Sequence, residues 1–209
     1  GGAVAVVIIL FVIVIALIVG SCFGIFYSLE DDNGSGGMTM QTAISTIDRE
    51  YHHKINEIRQ AESHDLFELR GGDVRWKEVL SVYAAKASVS ANDAGNASMD
   101  EKKLQELQNV FWDMHEISKK TEKRAEKSIL ETAGENGSIV STESEATHTY
   151  LIVTVSHKTP DEMASKYGFN KNQKAQLSEL LDENKSSQWM HLLYSYPPGN
   201  EKFAATAKA

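Results

Sequence analysis

Three carboxylates stand where acid–base chemistry could be built. Glu78 lies two residues after Trp76, and Asp113 and Glu116 lie three apart beside Trp112. Cutting a glycosidic bond needs a carboxylic acid with a raised pKa in a cleft, with a second carboxylate about 5–10 Å away. A spacing of three puts Asp113 and Glu116 on one face if the local chain is helical. In a chain with 24% charged residues, the plainer reading of all three is solvated helix-face charge.

Thiol and imidazole chemistry is less promising. Cys22 is the single cysteine, so no internal disulfide and no Cys/His cluster of zinc-finger spacing can form. It stands in an apolar run, which removes Cys/His catalysis from these residues. Val19-Gly20-Ser21-Cys22 loosely resembles a lipoprotein cleavage box, but the basic region that must precede such a box is not seen, and a small apolar residue is the simpler reading. His52 and His53 are adjacent, so a helix sends them to different faces and they make poor joint metal ligands. His148 and His157 are nine apart at the two ends of a strand-like run and face opposite ways. No phosphate loop, dinucleotide fingerprint or HExxH motif occurs. The sequence therefore assigns no catalytic, cofactor-binding or metal-ligating residue.

These residues are distributed over a strongly uneven chain. It has 209 residues and a formal net charge of -8. The acidic balance argues against nucleic acid as a partner, because phosphate binding needs a basic face. Residues 1–29 carry no charge, and Ala3 to Tyr27 form a 25-residue uncharged stretch. About 20 apolar residues suffice for a helix to cross the hydrocarbon layer. A buried soluble helix would show a polar side, and this stretch shows none. The expectation is a single transmembrane helix over 1–29. The acidic flank Glu30-Asp31-Asp32 places residues 30 onward outside the cytoplasm. The chain begins Gly-Gly with no initiator Met, so it reads as a fragment.

After the span, residues 30–37 read as a flexible linker. Met40, Ile44, Ile47, Tyr51, Ile55 and Ile58 form a helical stripe. Gly71-Gly72 breaks it. Asp73 is placed to cap a helix carrying Trp76, Val79, Leu80, Tyr83 and Ala87. Ser98 and Glu101 have capping-box spacing before Leu104, Leu107, Phe111, Met114 and Ile117, which predict a third helix. The period then changes. Thr121–Thr132 is polar and alternating, Asn136-Gly137 is a turn signal, and Ile139–Ser156 ends in an apolar run, so a hairpin with a buried second strand and a protruding polar end is expected. Thr159-Pro160-Asp161-Glu162 is a capping box with Pro at the first helical position, and Gly168 ends that helix. Leu177, Leu180 and Leu181 mark a further helix, and Trp189, Leu192 and Leu193 another. The expected fold is α+β: a mainly helical domain over 38–196 with one β-hairpin, then 197–209 as a linker and the start of another helix.

Several stretches together resemble one known family. They are AVAVVIILFVIVIALIVGSCFGIFYS (3–28), MTMQTAISTID (38–48), RWKEVLSVYAAK (75–86), FWDMHEIS (111–118), THTYLIVTVSHKTPDEMASKYGFNKNQKAQLSELL (147–181) and SQWMHLLY (187–194). They resemble the region before the catalytic domain of membrane-anchored cell-wall hydrolases encoded by integrative conjugative elements of Gram-positive bacteria, chiefly Firmicutes. Members carry a membrane span, this middle region, and a C-terminal peptidase or amidase domain of the CHAP or NlpC type, whose Cys and His cut peptidoglycan stem peptides. Residues 203–209 look like the first helix of such a domain. The family's catalytic Cys and His would lie beyond Ala209, so no catalytic role carries over to any residue here.

The resemblance implies a membrane-tethered, extracytoplasmic positioning domain of a peptidoglycan hydrolase acting in conjugative transfer, itself without activity. The implied partners are the membrane, peptidoglycan and conjugation channel proteins. Two other readings compete. One span followed by an α+β domain also describes a structural subunit of a conjugative secretion channel. Helices around a hairpin also describe lysozyme-like glycan hydrolases in outline, with Glu78, Asp113 or Glu116 in the cleft. In that last case the acid belongs near the end of the core helix, where Tyr83-Ala84-Ala85-Lys86-Ala87-Ser88 offers a lysine instead.

Overall fold

Among the described residues, apolar spacing of three and four is realised mostly as helix and alternation mostly as strand, with Ile117 an exception. A computed structural model describes residues 26, 38–88, 99–133 and 139–194. Among them are six α-helices and a three-stranded sheet, a mixed α+β arrangement that is mostly helical. In chain order these are α1 (Met40–Ala61), β1 (Leu66–Arg70), α2 (Trp76–Ala87), α3 (Glu101–Met114), β2 (His115–Ala133), β3 (Ile139–His157), α4 (Pro160–Lys166), α5 (Lys171–Leu181) and α6 (Ser186–Tyr194). The chain divides into two compact units, one of Gly1–Asp48, Val74–Met114 and Lys158–Ala209, the other of Arg49–Asp73 and His115–His157.

The first unit is a helical core. Met40, Ala43, Ile44 and Ile47 bury one stripe of α1. In α2 the continuous run Val79–Ala85 is buried, so this helix is enclosed nearly all round. Leu107, Val110, Phe111 and Met114 repeat every three or four residues along α3 and are also buried. Phe111 stacks on Trp76 with ring centroids 5.4 Å apart. Three side-chain hydrogen bonds tie the C-terminal helices together and to α2. Gln173 Nε2 donates to the Ala85 carbonyl at 2.9 Å, Lys77 Nζ to the Leu181 carbonyl at 2.9 Å, and Trp189 Nε1 to the Leu180 carbonyl at 2.8 Å.

Helix ends in this unit follow local chemistry. Thr159 and Glu162 form the expected capping box around Pro160. Gly168, at φ +63°, closes α4 with the Phe169 N–H bonded to the Ala164 carbonyl, the left-handed termination that glycine favours. Asn170 and Gln173 make a second capping box at the start of α5. Two expected caps differ. The residue before α2 is Arg75, with no side-chain cap, so Asp73 does not serve. At α3 the Asp100 carboxylate accepts from the Lys103 N–H at 2.8 Å. Ser98 lies outside the described residues.

The second unit is the rest of α1 with the sheet, ordered β1-β3-β2. β2 and β3 pair antiparallel over their whole length, from His115↔His157 to Ala133↔Ile139, so the hairpin is present. It starts earlier than its sequence suggests. Ile117, expected in line with α3, lies in β2 opposite Val155. A β-branched residue against an apolar strand is better placed in the ladder than in another helical turn. β1 was not foreseen. It runs parallel to β3, Leu66↔Tyr150 through Arg70↔Thr154, and this makes β3 the central strand. Leu151, Ile152, Val153 and Val155 are buried accordingly, together with Tyr51 and Ile55 of α1. Gly71 follows β1 at φ +67°; a Cβ there would lie 2.4 Å from the Val155 carbonyl oxygen, so only glycine fits.

The expected membrane helix, the linker over 30–37 and the turn at Asn136-Gly137 lie outside the described residues, apart from Phe26. Its ring is buried 5.4 Å from that of Trp189. No helix among the described residues is long and apolar enough to cross a membrane.

Candidate functional site

Asp113 has the richest surroundings of the three carboxylates. It stands in the last turn of α3, and α4 brings Lys166 and Tyr167 to it. Lys166 Nζ is 2.6 Å from Oδ1, and the Tyr167 hydroxyl donates to Oδ2 at 2.7 Å. Lys158 Nζ donates to the Asp113 backbone carbonyl at 3.0 Å. Lys86 Nζ lies 4.1 Å from the centre of the Tyr167 ring, a cation over an aromatic face. Partial burial opposes ionisation of Asp113. The hydrogen bonds from Lys166 and Tyr167 and the charges of Lys166 and Lys86 outweigh it, and the carboxyl falls below its ordinary range. Tyr167 moves the other way: burial, then the bond to Asp113, push its phenol up. The groups that meet Asp113 are thus cations and a phenol, which hold it as an anion.

Glu78 occupies the first turn of α2, with Arg75 Nη1 at 3.4 Å from Oε1. Glu116 is exposed on β2, opposite Ser156. The strand start at His115 removes the shared helix face that a spacing of three would have given Asp113 and Glu116. Lys86, at the position where the competing lysozyme-like reading needs its acid, is engaged with Tyr167. His52 and His53 are both exposed, as their adjacency suggested. The His52 ring lies 5.2 Å from that of Tyr51, and His53 Nδ1 is 3.5 Å from Glu57.

Two groupings were missed by sequence reasoning. Along β2, Lys120, Glu122 and Arg124 share a face and alternate in sign. Lys120 Nζ and Arg124 Nε donate to the Glu122 carboxylate at 3.1 and 3.0 Å, and Arg124 reaches Glu68 of β1 at 3.5 Å, which also accepts from Arg70 at 2.8 Å. The bonds from Arg124 and Lys120 lower the Glu122 carboxyl to about 2. The i,i+2 alternation of charge was the available signal. The second grouping is His115 with His157, 42 residues apart in sequence and opposite each other in the ladder. His157 Nδ1 and His115 Nε2 share a hydrogen bond at 3.1 Å. No local signal could have paired them before the register was known.

A groove of about 580 Å³ opens between α4, α5 and the short turn Glu183–Lys185. Its rim carries Asp161, Asp182, Glu183 and Lys174, above Ala164 and Leu177. Among the described residues no group of three or more His, Cys, Asp or Glu side chains could hold a metal ion. No protein-family model, curated protein or solved structure matches this chain.

Proposed function

We propose that the chain is the membrane-tethered, extracytoplasmic positioning region of a peptidoglycan hydrolase that acts in conjugative transfer, and that it does not itself cleave the wall. One observation carries the second half of this reading: Asp113, the carboxylate best surrounded for chemistry, is held ionised by Lys166 and Tyr167. A glycan-cleaving acid must do the opposite and keep its proton near neutral pH. Glu78 faces a guanidinium, and Glu116 stands on an open strand surface. The first half rests on the uncharged stretch 3–27, its acidic flank, and the family resemblance of the segments quoted above.

Three experiments test this. Labelling of single cysteines placed between residues 38 and 60 of a Cys22→Ser chain, in intact cells with an impermeant thiol reagent, should succeed; protection until lysis contradicts the proposed orientation. Cell walls incubated with the chain should stay intact. Stable copurification with channel proteins in the absence of any wall association would favour the channel-subunit reading instead.

A further inference from the structure

The registered pair at the foot of the hairpin has a geometry that a hydrogen bond does not exhaust. His115 opens β2 and is buried, and His157 closes β3 and is half-buried. Their rings lie 4.8 Å apart between centroids, inclined at 52°, and Tyr51 of α1 packs beside His115 with centroids 6.3 Å apart. The backbone ladder fixes both Cα positions, so the nitrogens are brought together by the sheet and not by flexible loops.

Late transition-metal ions bind imidazole nitrogen at about 2.0–2.1 Å. Two nitrogens 3.1 Å apart then subtend about 100° at a shared ion, between square-planar and tetrahedral values. We propose that His115 Nε2 and His157 Nδ1 form a two-histidine site for a divalent late transition-metal ion, with water completing its coordination. In the hydrogen-bonded pair one of these nitrogens carries a proton and the other accepts it. On metal binding the donor ring moves that proton to its other nitrogen, both rings remain neutral imidazoles, and both facing lone pairs bind the ion. The ion lies about 40° off the line between the nitrogens, so the rings turn about their χ angles until both lone pairs converge on it, while the strands keep their register. Water must supply the remaining ligands, because no third His, Cys, Asp or Glu completes such a group among the described residues.

The probe is Zn²⁺ titrated into the full 209-residue chain in detergent micelles, labelled with ¹⁵N. Zn²⁺ should bind one to one and move the His115 Nε2 and His157 Nδ1 resonances. His157→Gln should weaken binding at least about tenfold, since even loss of an outer partner of a ligand costs that much. His53→Gln should leave the affinity unchanged, which separates this pair from the exposed histidines of α1. Shifts confined to His52 and His53, an unchanged affinity in His157→Gln, or no binding at micromolar Zn²⁺ would each overturn the proposal. The wild-type resonances decide the matter even if His157→Gln fails to fold.

Discussion

At the foot of the β2–β3 ribbon, Leu151, Ile152, Val153 and Val155 are buried; at its far end Ala125, Glu126, Lys127 and Ile129 stand exposed across from Thr147, Ala146, Glu145 and Glu143. The register runs unbroken from one end to the other. Ladder pairing alone therefore does not set burial. What changes is the third strand: β1 pairs with β3 only over Tyr150–Thr154, and the buried apolar run lies at that pairing and immediately beyond it. An isolated two-stranded ribbon is marginally stable in water, and the far end persists as an extension of a base that is stabilised elsewhere.

The largest effect should come from emptying the base. Ile152→Ala removes a fully buried side chain from the central strand and should cost about 2–5 kcal/mol in denaturant unfolding. Next comes the junction that lets β1 dock. Gly71→Ala meets both a left-handed backbone and the Val155 carbonyl, and should cost about 1–3 kcal/mol or more. The same substitution at Gly168, where the added methyl meets nothing, should cost less.

A smaller effect is expected at Glu122, on the exposed face near the end of the β1 pairing. Its carboxyl sits near 2 when folded and at its ordinary 4.5 when unfolded. A lowered carboxylate contributes stability above the unfolded value, and that contribution fades as pH falls from 4.5 toward 2. Glu122→Gln should flatten the pH dependence of melting in that window: its destabilisation, modest because exposed ion pairs are weak, is present at pH 7 and vanishes as pH falls toward 2. The smallest effect belongs to the far end. Ile129 is 64% exposed, and Ile129→Thr should change stability by no more than about 0.5 kcal/mol. A loss comparable to that of Ile152→Ala would break the comparison, since it would mean that the far end packs on something.

The same contrast explains what could be read from the residues alone. The helices were legible because Leu107, Phe111 and Met114, or Leu177 and Leu180, repeat at helical spacing. The capping box at Thr159 was legible because both partners lie within four residues. The hairpin was legible from the change of period. β1 escaped because its five residues, Leu66–Arg70, acquire meaning only beside β3, some 80 residues later, in a parallel pairing that leaves no local signature. Ile117 misled because three-residue spacing after Met114 continues the helix on paper, while the ladder opposite Val155 claims it in the fold. At the candidate site, Glu78 and Asp113 could be named, but the partners that decide the chemistry of Asp113 come from α4. Sequence distance likewise hid His115 from His157.

The central claim is that this chain positions a wall-cutting activity and has none of its own. Its most direct test is muropeptide and reducing-end release from purified Gram-positive cell walls by the 209-residue chain, measured beside Asp113→Asn and Glu78→Gln. The account predicts no release above buffer from any of the three. Release by the wild-type chain that disappears in Asp113→Asn or Glu78→Gln would contradict it, and would make the carboxylate, despite its cationic partner, the acid of a glycan hydrolase.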